Sequence, residues 1–107
     1  MVEQSINLDT LFQALADQTR RDILKRVSKT EMSISALAEP YKMSFAAIAK
    51  HVLVLETAKL ITKKRKGKQQ IVAIVPKTMA VASTHLEEYE KMWDARFDAL
   101  EALLEEK

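Results

Sequence analysis

The chain contains no cysteine. Disulfide scaffolds, thiolate metal centres, cysteine nucleophiles and thiol-based sensing are therefore excluded. Glycine occurs once and proline twice in 107 residues. Long loops and Gly-rich phosphate cradles have no material to be built from, and a chain so poor in breakers is expected to be mostly helical. No apolar run approaches the ~20 residues that cross a bilayer. Met1 to Ser5 lack the basic-then-apolar order of a secretory signal. The expected compartment is the cytoplasm, with no membrane partner.

What the chain does have is 48% apolar and 30% charged residues, a balance that suits one folded domain over residues 1–107. The net charge of +2 conceals an uneven distribution. Lys50 to Gln70 carries seven Lys or Arg against one acid, Glu56. Leu86 to Lys107 carries eight acids against Lys91, Arg96 and Lys107. A basic patch and a separate acidic helix outline a nucleic-acid binder with its own assembly surface. Two ordinary solvated faces would give the same tally.

Apolar residues recur at steps of three and four at Leu8, Leu11, Phe12 and Leu15, which predicts a first helix over Ile6 to Ala16. Asp17 caps a second helix that runs to about Val27, and Ser33 caps a short third, Ile34 to Glu39, before Pro40. Ser44 caps a fourth, running to about Lys59, with Ile48, Val52 and Leu55 inward. The period then changes. Leu60 to Lys64 and Gln70 to Val75 are short runs rich in Ile and Val, and between them lies the only glycine, Gly67, where a hairpin turn needs positive φ. A long last helix runs from about Lys77 to Glu105, with a seam of Leu86, Tyr89, Trp93, Phe97, Leu100 and Leu104. The expected fold is mostly α with a small two-stranded β wing. Four helices, a basic hairpin and a fifth helix make a winged helix-turn-helix.

The residues at these positions resemble one family. Leu15-Ala16-Asp17-Gln18-Thr19-Arg20-Arg21-Asp22-Ile23-Leu24 is similar to the L-A-D-P-T-R-x-x-I-L opening of ArsR-type winged helix regulators. Residues 43 to 56 resemble that family's recognition helix, x-S-x-x-x-V-S-[RK]-H-L-x-x-L-E, through Ser44, Lys50, His51, Leu55 and Glu56. Ala58-Lys59-Leu60-Ile61 stands at A-G-L-[VI], and Arg65-Lys66-Gly67-Lys68 at the basic wing turn. Four fragments in order and spacing form a specific signal. Gln18 stands for a proline, Ala49 for a serine, and Lys59 and Lys42 stand where glycines are common. A left-handed backbone angle at either position would be unfavourable for lysine.

The resemblance implies a DNA-binding transcriptional regulator, a repressor acting on an inverted repeat as a homodimer, with double-stranded DNA as partner. It places Ser44, Phe45, Ala46, Ala47, Ala49, Lys50 and His51 on the major-groove side of the fourth helix. Only Ser44, Lys50 and His51 offer donors, and Lys50 suits guanine N7 and O6. The alanines serve equally as helix filler. Lys63, Lys64, Arg65, Lys66, Lys68 and Gln69 form the wing, which would lie on the backbone or in a minor groove and supply counterion release. Lysines that blunt an edge strand read the same way. Thr19 and Arg20 open the second helix, where a phosphate is favoured, and Arg20 paired with a carboxylate is the alternative. Leu8, Leu11 and Phe12 with the last-helix seam are expected to form the dimer interface; aromatics completing the monomer core are the alternative. A protein-interaction module that uses the winged fold without DNA is the competing function, favoured by Phe45, Ala46, Ala49 and Leu53.

No cofactor and no regulatory metal is expected. Some members of the family bind metal through the last helix, but only His85 matches that pattern, and Ser83, Arg96 and Ala99 occupy the other ligand positions. An enzyme is not expected either: no nucleophile lies with a base, and the two histidines fall on different elements. No effector is legible.

Overall fold

The structure, a computed structural model, describes residues 6–105. The remaining residues of the expected single domain, 1–5 and 106–107, lie outside the described residues. The elements run α1 Leu8–Leu15, α2 Gln18–Lys29, β1 Met32–Ser33, α3 Ile34–Ala38, α4 Phe45–Thr57, β2 Ile61–Lys66, β3 Gln69–Ile74 and α5 Pro76–Glu105. Each of the first four helices opens on a side-chain oxygen that accepts a backbone N–H of the first turn. These are Asn7 from Thr10, Asp17 from Arg20, Ser33 from Ala36 and Ser44 from Ala47. The fifth opens on Pro76, whose missing N–H is no loss at a first helical position.

The two-stranded wing is the hairpin β2–β3, and β1 extends it to a three-stranded sheet in the antiparallel order β1-β3-β2. The extra strand is two residues long, pairing Met32 with Val72 and Ser33 with Ile71. It carries no periodicity of its own, because its conformation comes from the strand it joins. The hairpin turns at Gly67-Lys68, with Lys66 opposite Gln69. Positive φ at Gly67 and not at Lys68 is the type II′ pattern, which matches strand twist.

Thirteen buried side chains form one core, drawn from α1 to α4, the segment after α4, and β2 and β3. Ile48, Val52 and Leu55 of α4 are fully buried, as are Leu37, Leu60 and Val72. Each such side chain contributes about 1.5–3 kcal/mol. The long helix takes little part: only Thr78 and Ala82 of α5 are buried, and Met79 packs half-buried against the core. From Leu86 onward every described residue is exposed. This stretch projects about 30 Å. The radius of gyration is correspondingly 18.4 Å, where a packed chain of this length has about 13 Å. Among the described residues no helix is long and apolar enough to cross a membrane.

The end of α4 decides where the wing begins. The amide of Lys59 donates to the Glu56 carbonyl at 2.9 Å, and that of Leu60 to the Leu55 carbonyl at 3.0 Å. This is the paired Schellman closure, with Leu55 and Leu60 both buried as its apolar clasp. It requires a left-handed residue, and Lys59 takes φ 64°. Lys42 does not: Lys59 is the only non-glycine with positive φ among the described residues. Replacing Lys59 by glycine is expected to raise stability by about 1 kcal/mol. Urea unfolding measures it, and an unchanged or lower midpoint would show that the turn carries no strain.

Candidate nucleic-acid interface

The buried stripe of α4 leaves a defined outer face. Ser44, Phe45, Ala46, Lys50 and Leu53 are exposed, and Ala47 and Ala49 are half-buried at its flanks. Phe45 is 55% exposed and Leu53 53%, so the face is mainly apolar, with Lys50 its one cation. Leu53 lies on it beyond the residues expected from the family pattern, one turn past Lys50.

His51 is not on that face. Its ring is turned toward the start of α2, with Nδ1 3.3 Å from a guanidinium nitrogen of Arg20 and 4.0 Å from Asp17. Arg20 is drawn inward as well. Its Nε donates to the Ala14 carbonyl at 2.7 Å, and a terminal nitrogen donates to the Gln13 carbonyl at 2.9 Å. Arg20 is thus engaged with backbone carbonyls, and its charge acts on the Asp17 carboxylate as well. The guanidinium binds two carbonyls of the last turn of α1, of which that of Gln13 also accepts the Ala16 amide, and touches α4 through His51. Thr19 beside it is half-buried. The Asp17 carboxyl is held below the usual carboxylate range, chiefly by the Arg20 amide it caps, then by the charges of His51 and Arg20, against partial desolvation.

A second tie holds the turn between α3 and α4. Arg26 of α2 donates to the carbonyls of Leu37 at 2.9 Å and Ala36 at 3.3 Å, and its guanidinium lies 5.5 Å from the centre of the Tyr41 ring. The Tyr41 hydroxyl donates to Asp22. Burial, and then this bond, push the phenol above its ordinary range, so it stays protonated as the donor. None of these residues was expected from the sequence. Arg26 and Tyr41 are far apart in the chain, and nothing local marks the pair.

The wing cations divide. Strand alternation turns Lys63 toward Glu56 of α4, which it meets at 3.4 Å, so this lysine is engaged within the protein. Lys66 reaches Glu31 at 3.7 Å but stays 69% exposed, where such a pair is worth little. Lys64, Arg65 and Lys68 are exposed beside it, with Gln69, and the Arg65 Nε donates to the Gly67 carbonyl at the turn. Four cations thus remain at the solvent edge of the hairpin.

The expected interface set also divides. Leu11 has no exposed surface and packs within the protomer, so it cannot meet a partner. Leu8 and Phe12 are half-exposed. Leu86, Tyr89, Trp93, Phe97 and Leu100 are 53–59% exposed and Leu104 70%. The aromatics therefore do not complete the monomer core. Trp93 and Phe97 stack on each other, ring centres 5.8 Å apart. His85 pairs with Glu88 at 3.6 Å, and no cluster of three metal-ligating side chains exists among the described residues.

Two stability measurements check these assignments. Arg20→Ala is expected to cost about 1–2 kcal/mol, since the carbonyls of Ala14 and Gln13 lose charged donors. No loss would return Arg20 to the surface. Asp17→Asn keeps a capping oxygen but removes the charge. Because the folded carboxyl titrates below its unfolded value, its stabilisation is complete above the usual carboxylate range and is lost as pH falls through the lowered value. Wild type is therefore expected to exceed the variant at pH 7 and to converge with it in acid. A gap independent of pH would contradict the assignment.

No family model matches the chain. Individual relatives do. The HTH-type transcriptional regulator Rv2034 of Mycobacterium tuberculosis is 32% identical over 81 residues, 76% of each chain. The transcriptional repressor SdpR of Bacillus subtilis is 33% identical over 60 residues, 56% of this chain and 67% of that one. The crystal structure of the ArsR family transcriptional regulator RHA00566 superposes with a TM-score of 0.76 and 33% identity, over 81% of this chain and 96% of that one. With the helix-turn-helix, the wing and the sequence fragments in agreement, the chain belongs to the ArsR family of winged helix-turn-helix transcriptional regulators.

Proposed function

We propose that this regulator binds an inverted-repeat DNA site as a homodimer and acts as a repressor. In this reading α4 lies in the major groove, the hairpin β2–β3 lies on the backbone or in the minor groove, and residues 1–107 form a single DNA-binding domain. The observation that carries it is the pairing of an exposed α4 face with a wing tip of four exposed cations on the same body. Phosphate attraction then comes mainly from Lys64, Arg65, Lys66 and Lys68. Base readout is sparse. Lys50 is the strong donor, Ser44 accepts the Ala47 amide with its oxygen and keeps its O–H to donate, and Phe45, Ala46 and Ala49 offer apolar contact to thymine methyls or sugars. Repression is supported by the similarity to a protein named as a transcriptional repressor.

The homodimer rests on α5. Leu86 and Phe97, Tyr89 and Leu100, and Trp93 and Leu104 are each eleven residues apart. At 100° per residue the six positions fall within about 80° of one another, so the apolar row stays on one face of α5. A straight, exposed row with half-exposed Leu8 and Phe12 suits a second copy of itself. A two-fold pair would set the two α4 helices about one DNA turn apart. The apolar outer face of α4, with Phe45 and Leu53 exposed, is the one observation that favours a protein partner instead.

Selection of bound duplexes from a random pool is expected to enrich an inverted repeat with half-site centres about ten base pairs, or a multiple, apart. Failure to enrich any sequence, with no duplex bound at low salt, would favour the protein-partner reading. Sedimentation equilibrium is expected to give twice the chain mass, and Trp93→Glu the mass of one chain. A dimer unaffected by Trp93→Glu would move the interface off α5.

A further inference from the structure

A cleft of ≈ 460 Å³ opens where the end of α4, the first residues of β2 and the start of α5 meet. Its charge is one-sided. Lys59, Lys63 and Lys77 line it, against one carboxylate, Glu56. Glu56 is already committed to Lys63 at 3.4 Å, and among the described residues Lys59 and Lys77 pair with no carboxylate. Ile6 and Val75, both half-buried, supply its apolar surface, with the buried Ile61 behind them. The first turn of α5, with its partial positive charge, reaches the cleft at Lys77 and Thr78.

A separate observation falls at the same place. Lys59 is the residue held at φ 64°. Glycine would relieve that backbone, and the helix end needs nothing of the Lys59 side chain, since its Schellman bonds are made by backbone. The strained lysine is also one of the residues that line the cleft. Strain kept at a cavity is a mark of a ligand site.

We infer that this cleft binds a small organic anion, a carboxylate on an apolar body, with Lys59 and Lys77 holding the carboxylate and Ile6 and Val75 the chain. The anion competes with Glu56 for Lys63. That ion pair joins the last turn of α4 to the wing strand, so binding loosens the wing from the reading helix and weakens the hold on DNA. This last step rests on the DNA-binding reading above; occupancy of the cleft does not.

Octanoate is the probe, titrated into the full chain without DNA and followed by amide NMR shifts. Saturable shifts are expected at Ile61, Thr62, Lys63, Lys77 and Thr78, and octanol should not reproduce them. Lys59→Gly and Lys77→Gln should each weaken binding about threefold, the scale of one exposed ion pair. The first should do so while raising stability, which separates lost binding from lost folding. No saturation, an equal response to octanol, or shifts confined to Leu86–Leu104 would overturn the site. A second arm measures DNA affinity with and without saturating octanoate. An unchanged affinity would overturn the regulatory step alone, and failure to bind any DNA would strike the DNA-binding reading while the first arm stands.

Discussion

Burial of the inner stripe of α4 is the constraint on which the rest depends. Ile48, Val52 and Leu55 sink fully into the core, and the chain continues through the Lys59 turn to Leu60 and Ile61, which are buried too. One run of apolar contacts therefore locks the helix, its terminal turn and the first wing strand into a single body. The α4 face and the wing are the reverse side of that burial. The α4 outer face exists because the inner face is anchored, and the wing projects where it does because Ile61 and Val72 are pinned beneath it. Truncating Leu55 would cost about 2–5 kcal/mol and would misplace both surfaces together.

This packing also explains why several cations do not face outward. Arg20, Arg26 and Lys63 are spent inside the protein. Arg20 binds the carbonyls that end α1, Arg26 those that end α3, and Lys63 bridges to Glu56. Short helices leave carbonyls without partners, and α1 and α3 have eight and five residues. Arginines from α2 supply donors to several of these carbonyls, Arg21 taking that of Leu15. The outward charge is left to the wing tip and to Lys50, which separates a strongly charged element from a weakly charged one.

Much of this arrangement was legible in the sequence. Asp17, Ser33 and Ser44 mark their helix starts by a chemistry local to each first turn, and Gly67 marks the hairpin turn for the same reason. The single exposed cation of α4 followed from helical geometry alone. What was not legible depends on contacts between distant segments. The strand Met32–Ser33 exists only because β3 offers it an edge. Leu11 shares its stripe with Leu8 and Phe12, and periodicity cannot say which of the three the core covers completely. His51 and Arg20 look like surface donors until tertiary packing brings Asp17, Ala14 and Gln13 to them. The two lysines at family glycine positions show the same limit: Lys59 takes the left-handed angle and Lys42 does not, because only the α4 end closes through a Schellman turn.

The central claim is that the wing supplies the affinity and α4 the sparse readout. Salt dependence of DNA affinity, compared among wild type, Lys50→Ala and a variant with Lys64, Arg65 and Lys68 replaced by serine, tests it most directly. For a dimer with about four phosphate contacts per chain, the slope of log affinity against log salt is expected to be on the order of −7. The wing variant should lose roughly three-quarters of that slope, and Lys50→Ala should keep most of it while losing preference for the selected site. A wing variant with the wild-type slope, or a Lys50→Ala slope as flat as the wing variant's, would contradict the account.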